Sequence, residues 1–341
     1  MFTETVLTWY ETHKRDLPWR NISDPYRIWV SEIILQQTRI VQGYDYYMRF
    51  VKAFPTVTAL ANATEDEVLK LWQGLGYYSR ARNMHAAAKQ IVELGHFPNT
   101  YKDILKLKGV GEYTAAAISS FAYHLPHAVV DGNVYRVLSR YFGIKTPIDT
   151  PQGKRMFAEL ASELLPANNV ADYNQAFMDF GATQCTPSAP QCEECPLNNS
   201  CSALQTNEIS VLPVKQHKVK VRQRYFVFIK IKVNGNVWIQ RRNHNDIWKG
   251  LYQFHLQEYD NSPSMLDIQE DAFIKSLAAK GVWHALKLGV KHVLTHQVIY
   301  ADFYECTVPF HLPTPQGYIS VSEDEMGRYA FPQLFHKAKI L

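Results

Sequence analysis

The sequence has no apolar run near the ~20 residues that a membrane-spanning helix needs, which excludes a helical integral membrane protein. Its opening stretch, MFTETVLTWYETHKRDLPW, holds no apolar segment between a basic start and a small-residue cleavage site, so no secretory signal is expected. Charge of one sign is lacking too. With 36 Lys and Arg against 32 Asp and Glu the formal net charge is only +4, which permits a nucleic-acid partner without demanding one. No internal repeat and no low-complexity segment can be found, so a repeat architecture is excluded. Cysteine is scarce, five in 341 residues. The expectation is a cytoplasmic protein without a membrane partner, and in that compartment clustered thiols hold metal more readily than they form disulfides.

The chain does have apolar residues in helical order. At 46% hydrophobic content and 341 residues it can bury two cores, one per domain. From 6 to 203 the periodicity keeps returning to that of a helix: Val30, Ile33 and Ile34, then 61–71, 86–94, 115–122 and 156–164. Short Gly, Pro and Asn interruptions separate the runs, giving an all-α domain of about ten helices. The character changes after Cys201. Residues 207–224 carry Pro213, the basic Lys215, Lys218, Lys220, Arg222 and Arg224, and one acid, Glu208, which reads as a linker. Residues 225–233 then alternate as a strand, Asn234-Gly235 signals a hairpin, and 237–240 begin the return. The expected domains are 1–206, a linker at 207–222, and an α+β domain at 223–341.

Four cysteines fall in one run, Cys185-x6-Cys192-x2-Cys195-x5-Cys201. Four thiolates on short loops suit either a tetrahedral zinc or a [4Fe–4S] cluster, and spacing by itself leaves both open. Cys306 stands apart as a small buried hydrophobe. Further upstream, the string 107–115 (LKGVGEYTA) sets Gly109 and Gly111 just before an apolar helix, where backbone amides can approach a phosphate. Asp131 follows Tyr113 by eighteen residues in VVDGNV. Glu32 sits among apolar neighbours in WVSEIILQQT, where burial would raise its pKa into the range of a general acid. The stretch 71–82 (LWQGLGYYSRAR) mixes glycines, aromatics and arginines suited to wedging into stacked bases.

Together these motifs resemble the MutY family of adenine DNA glycosylases, within the endonuclease III superfamily of helix-hairpin-helix glycosylases. The resemblance spans nearly the whole chain and implies an all-α helix-hairpin-helix glycosylase domain with an iron–sulfur loop, followed by an α+β Nudix-like domain. It tilts the choice of metal to a [4Fe–4S] cluster held by Cys185, Cys192, Cys195 and Cys201. It implies Glu32 as the acid that protonates adenine, Asp131 as the carboxylate that stabilises the sugar cation or bonds to it, and Tyr113 and Asn133 as their assistants. Tyr113 stands where strand-cleaving relatives carry a lysine, so a monofunctional hydrolase is implied. Trp19, Arg20 and Gln175 would line the adenine. Gln36, Gln37, Thr38, Leu75, Tyr77, Arg80 and the hairpin glycines Gly109 and Gly111 would meet DNA, with Tyr77 filling the gap in the helix.

In the second domain, Asp246-Ile247-Trp248-Lys249-Gly250-Leu251-Tyr252-Gln253-Phe254 resembles the segment found where MutY proteins carry their Nudix-like domain. No glutamate-rich helix follows Gly250, so nucleotide hydrolysis is not expected. The family's lesion-sensing Phe-Ser-His matches Leu294-Thr295-His296 in its hydroxyl and imidazole but not in its aromatic residue. The implied partner is duplex DNA with adenine opposite 8-oxoguanine or guanine, bound by a monomer; a processivity clamp or mismatch-repair factor stays open. Two rivals remain at this level: a non-enzymatic DNA-binding module, and a same-fold glycosylase for thymine in T·G mismatches.

Overall fold

The computed structural model describes residues 2–217, 220–278 and 281–341; Lys218 of the basic linker lies outside them. The chain divides into two compact units, Met1–Asn62 with Ala86–Lys218, and Ala63–His85 with Val219–Leu341. Among the described residues no helix is long and apolar enough to cross a membrane.

Up to residue 205 the secondary structure is helical: α1 Phe2–His13, α2 Pro25–Leu35, α3 Ile40–Ala53, α4 Val57–Asn62, α5 Glu65–Trp72, α6 Ser79–Leu94, α7 Tyr101–Ile104, α8 Glu112–Tyr123, α9 Gly132–Phe142, α10 Pro151–Glu163, α11 Val170–Asp179 and α12 Ser202–Gln205. Three of these span four to six residues, too short for a periodic signature. Local chemistry sets several starts. Asp24 caps α2 by accepting from the amides of Tyr26 and Arg27, with Pro25 in the first turn. Thr150 and Pro151 repeat the device at α10, and Asp131 caps α9. In the first unit, Val6, Trp9 and Tyr10 of α1 pack with Val134, Val137 and Leu138 of α9 and with Phe157, Phe177 and Phe180. Cys185 and Cys195 lie against the same core. A wide helical turn at Phe180–Gln184 carries α11 directly into Cys185.

The linker is partly fastened to this first unit. Asp149 accepts from the amides of Gln216 and His217, Ile148 N donates to Val214 O, and Arg140 Nε donates to Leu212 O.

The second unit is built on a seven-stranded mixed sheet: β1 Arg222–Val233, β2 Asn236–Arg241, β3 Tyr252–Gln253, β4 His255–Tyr259, β5 Val282–Val293, β6 Gln297–Val308 and β7 Tyr318–Ser322. Three further helices, α13 Met265–Glu270, α14 Ala272–Ala278 and α15 Gln333–Lys337, accompany it. Asn234 and Gly235 both take positive φ (48° and 81°), the geometry of a two-residue hairpin turn. The expected alternation along 225–233 is not what the strand displays, because residues 226–231 are buried on both faces. The cause is non-local. β1 is interior, antiparallel to β2 and β4 and parallel to β6 over its whole length. Phe228 meets Phe303 and Phe335 on one face, while Val227, Ile229 and Ile231 meet Ile268, Ile274 and Leu277 on the other. Cys306 is fully buried in this second core.

Candidate active site

Glu32 lies in the middle of α2, where Ile28, Trp29, Val30, Ile33 and Ile34 bury the helix almost completely. It is 7% exposed. Tyr113, on the first turn of α8, donates its hydroxyl to Glu32 Oε2 at 2.7 Å. Burial raises the Glu32 pKa above the usual carboxylate value, against the opposing Tyr113 hydrogen bond and Arg20 charge and with help from Asp131. Tyr113 is itself pushed up by burial and by the two carboxylates, so it stays a hydroxyl donor.

Asp131 faces the same cavity from the start of α9. Its Oδ1 accepts from the backbone amides of Asn133 (2.8 Å) and Val134 (2.9 Å), and its Oδ2 from Asn133 Nδ2 (2.8 Å). Burial raises its pKa, while these three donors and the nearby Arg136 charge act to lower it. Asn133 is held in turn by Arg136, whose Nη2 donates to Asn133 Oδ1 at 2.8 Å and to Gly181 O at 2.5 Å. Gly181 is required there, since a Cβ would stand 2.5 Å from Asn133 Cβ.

Glu32, Tyr113, Asp131 and Asn133 line one cavity of about 450 Å³ together with Trp19, Arg20, Thr38 and Gln175. Trp19 is set by an edge contact with Tyr47 at 5.0 Å. Arg20 pairs with the fully buried Asp179 at 2.9 Å, and Tyr10 donates its hydroxyl to Gln175 Oε1 at 3.0 Å. Arg15 also pairs with Asp179. Tyr10, Arg15, Asp179 and Arg136 escaped the sequence reading because they carry no motif; Tyr10 and Arg15 find their partners far along the chain, and Arg136, close to Asn133, reaches Gly181 and Cys185 only in the fold. Among the other expected residues, Gln36 donates to Thr114 Oγ1 at 3.1 Å, and Gln37 is exposed with φ 58° at the turn after α2. Gly109 (φ 76°) and Gly111 line a separate cavity of about 840 Å³ at the start of α8.

In the second unit a different group assembles. Leu294 N donates to Gln297 O at 2.8 Å, so Thr295 and His296 form the tip of a tight β5–β6 hairpin. Tyr77, 46% exposed with φ 47°, shares a 2.5 Å hydroxyl contact with Thr295 Oγ1. Leu75 is buried beside it. Arg80 stacks its guanidinium over Trp72 (5.2 Å) and Tyr77 (5.7 Å) and donates to Gly76 O at 3.2 Å. Leu75, Tyr77, Trp248, Leu294, Thr295 and His296 line a cavity of about 440 Å³.

All four clustered cysteines line one small cavity with Pro190, Leu204 and Ile209. Burial pushes the Cys195 thiol up to about 11, so thiolates gather there only against compensating positive charge. Four cysteine sulfurs around one space are the donor set that a [4Fe–4S] cluster takes. Arg140 Nη1 donates to Cys185 Sγ at 3.4 Å and to Thr186 O at 2.8 Å, and Arg136 Nε donates to Cys185 O at 2.7 Å. The donor set fits an iron–sulfur cluster.

Residues 30–166 match the HhH-GPD superfamily of base excision DNA repair proteins, residues 185–201 the iron–sulfur binding domain of endonuclease III, and residues 226–339 the NUDIX domain. The fold and site therefore define an iron–sulfur DNA glycosylase of the helix-hairpin-helix superfamily with a NUDIX domain, and its cofactor is a [4Fe–4S] cluster. A solved thermostable thymine-DNA glycosylase is 33% identical, with a TM-score of 0.56 over 60% of this chain and 95% of that one. An endonuclease III–DNA complex at 19% identity and TM-score 0.53 shares the fold. The adenine DNA glycosylase of Buchnera aphidicola subsp. Baizongia pistaciae is 36% identical over 259 residues, 74% of this chain and 73% of its own. That of Mus musculus is 42% identical over 226 residues, 62% of this chain and 44% of its own. The chain belongs to the adenine DNA glycosylase family, hydrolases of N-glycosyl bonds that remove adenine in base excision repair.

Proposed function

We propose that this protein is a monofunctional, monomeric glycosylase that removes adenine lying opposite 8-oxoguanine or guanine in duplex DNA. The observation that carries the reading is a pair of carboxylates on one cavity with unlike donors: Glu32 beneath a single tyrosine hydroxyl, Asp131 beneath three N–H groups. An extruded adenine enters beside Trp19, Arg20 and Gln175. Glu32, protonated through its raised pKa, gives its proton to N7 of the base. The C1′–N9 bond then breaks, its electron pair leaves with adenine, and the sugar becomes an oxocarbenium ion. Asp131, the acceptor of three N–H groups, is the anion that stabilises this cation. Water adds to C1′ and returns a proton to Glu32. Among the described residues no lysine amine lines the cavity, in keeping with hydrolysis without strand cleavage.

Gly109 and Gly111 offer backbone amides to phosphate, Gln36, Gln37 and Thr38 serve the strand opposite adenine, and Tyr77 fills the vacated stack. Thr295 and His296, on their hairpin tip, read the lesion. Cys185, Cys192, Cys195 and Cys201 would hold the [4Fe–4S] cluster, which would tie 185–201 into a fixed loop on the core that supports α9. The test is single-turnover base release from duplexes with adenine opposite 8-oxoguanine, guanine or thymine, with thymine opposite guanine as a control. Adenine loss from the first two, with breaks appearing only after alkali, is the expected result. Equal loss opposite thymine, release of thymine, or breaks before alkali would overturn the proposal.

A further inference from the structure

Arg224 lies on β1, 6% exposed, and every nitrogen of its guanidinium is used. Nε donates to Glu258 Oε1 (2.6 Å), Nη1 to Asp246 Oδ1 (2.9 Å) and Gln297 Oε1 (3.1 Å), and Nη2 to Asp246 Oδ2 (2.7 Å) and Glu258 Oε2 (2.6 Å). The three acceptors come from separate elements. Glu258 is on β4, Asp246 opens the loop that carries Trp248, and Gln297 is the first residue of β6 after the Thr295–His296 tip. The backbone next to Arg224 grips the same tip, since Arg222 N donates to His296 O at 3.0 Å. Arg242 braces the loop from its other side, donating to Asp246 Oδ2 (2.9 Å) and Ile247 O (3.0 Å). Trp248 holds φ 60°, with its ring 6.1 Å from Phe226 and 5.9 Å from His292. Both the Trp248 loop and the hairpin tip are walls of the 440 Å³ cavity.

We infer that Arg224 is a positioning residue for lesion discrimination, fixing the Thr295–His296 tip in register with the Trp248 loop. The inference rests on the reading of that tip as the lesion sensor. A fold held by this group for stability alone would need charge compensation; fixing two loops against each other needs the rigid planar fork that arginine has and lysine lacks. Two carboxylates and one amide saturate that fork, so no ammonium can reproduce all five bonds.

The experiment measures single-turnover rates for adenine opposite 8-oxoguanine and opposite guanine in R224K, in Gln297→Leu, and in T295A and H296A. R224K keeps the charge, and Gln297→Leu cuts the tip from the fork without touching a charge, so it serves if the lysine variant fails to fold. The expected result is a fall in the 8-oxoguanine-to-guanine rate ratio of about tenfold in R224K, equal to ~1.4 kcal/mol. A smaller fall in the same ratio is expected in Gln297→Leu, with the rate opposite guanine held within about twofold in both variants. If T295A and H296A lose the ratio while R224K and Gln297→Leu keep it, the positioning role is refuted and the lesion reading stands. If T295A and H296A keep the ratio as well, the lesion reading fails and takes the inference with it. An equal fall of both rates in R224K would mark a purely structural residue and also overturn it.

Discussion

Replacing Glu32 by glutamine isolates the proton from everything else the residue does. The amide is isosteric, and its carbonyl oxygen can still accept the Tyr113 hydroxyl now bonded to Glu32 Oε2 at 2.7 Å. What disappears is the acid. General acid catalysis is worth about 10² to 10⁴ in rate, or ~3 to 5 kcal/mol of transition-state stabilisation. The assay is single-turnover adenine release across a pH series. In the wild type the rate should fall as pH climbs through the raised Glu32 pKa, because only the protonated form donates. E32Q should lose the rate and that descending limb together. Stability moves the other way. A carboxyl whose folded pKa is raised binds its proton more tightly in the native state than in the unfolded one. Wild-type stability is therefore lost as pH rises from the ordinary carboxylate value of 4.5 to the raised one, and E32Q should melt higher than wild type at pH 8 but not at pH 4. A rate within threefold of wild type, or a surviving pH limb in E32Q, would refute the assignment of Glu32 as the acid.

Three further substitutions probe the supports. Asp131→Asn keeps an oxygen for the amides of Asn133 and Val134 but removes the anion. Excision should fall by ~10²-fold or more while the melting temperature moves by only a few degrees, the scale of a perturbed helix cap; retained activity would remove Asp131 from the chemistry. Gly181→Ala pushes a methyl to 2.5 Å from Asn133 Cβ and 3.0 Å from its Cα, so the excision rate should drop with iron content unchanged, as read by rate and metal analysis side by side. Cys192→Ala removes one of four thiolates and leaves no donor in its place, and iron and visible charge-transfer absorption should be lost together with melting stability; full iron retention would show that Cys192 is not a required ligand.

What was legible in the sequence was chemistry confined to a few consecutive residues. The cysteine spacing, the glycines before α8 and the apolar neighbours of Glu32 each announce a local geometry, and the fold honours them. Asp131 was legible as a candidate carboxylate, but its cap on α9, with donors that act to lower a pKa that burial raises, appears only in the fold. What was illegible required partners distant in the chain. The Arg15 and Arg20 pairs with Asp179 span more than 150 residues, and Tyr10 reaches Gln175 across 165. The burial of residues 226–231 of β1 on both faces follows from parallel pairing with β6, which no pattern within 222–233 encodes. The helix count rose above ten because four-residue helices such as α7 and α12 hold one turn and no period.

The division of labour between the two carboxylates follows from how each is solvated by protein. Both are buried, and burial alone would favour the neutral form of each. Asp131 receives two backbone amides and a side-chain amide whose own oxygen is held by Arg136, a set of donors that can satisfy only an acceptor. Glu32 receives one hydroxyl, and the charge on Asp131 is itself among the causes that raise its pKa. The donor sets therefore favour a shared proton on Glu32, and in the proposed mechanism the Asp131 anion is the group that faces the sugar cation. In the proposed mechanism the cavity holds acid and counter-charge before any base enters, and the wall of Trp19, Arg20 and Gln175 is left to sort which base does.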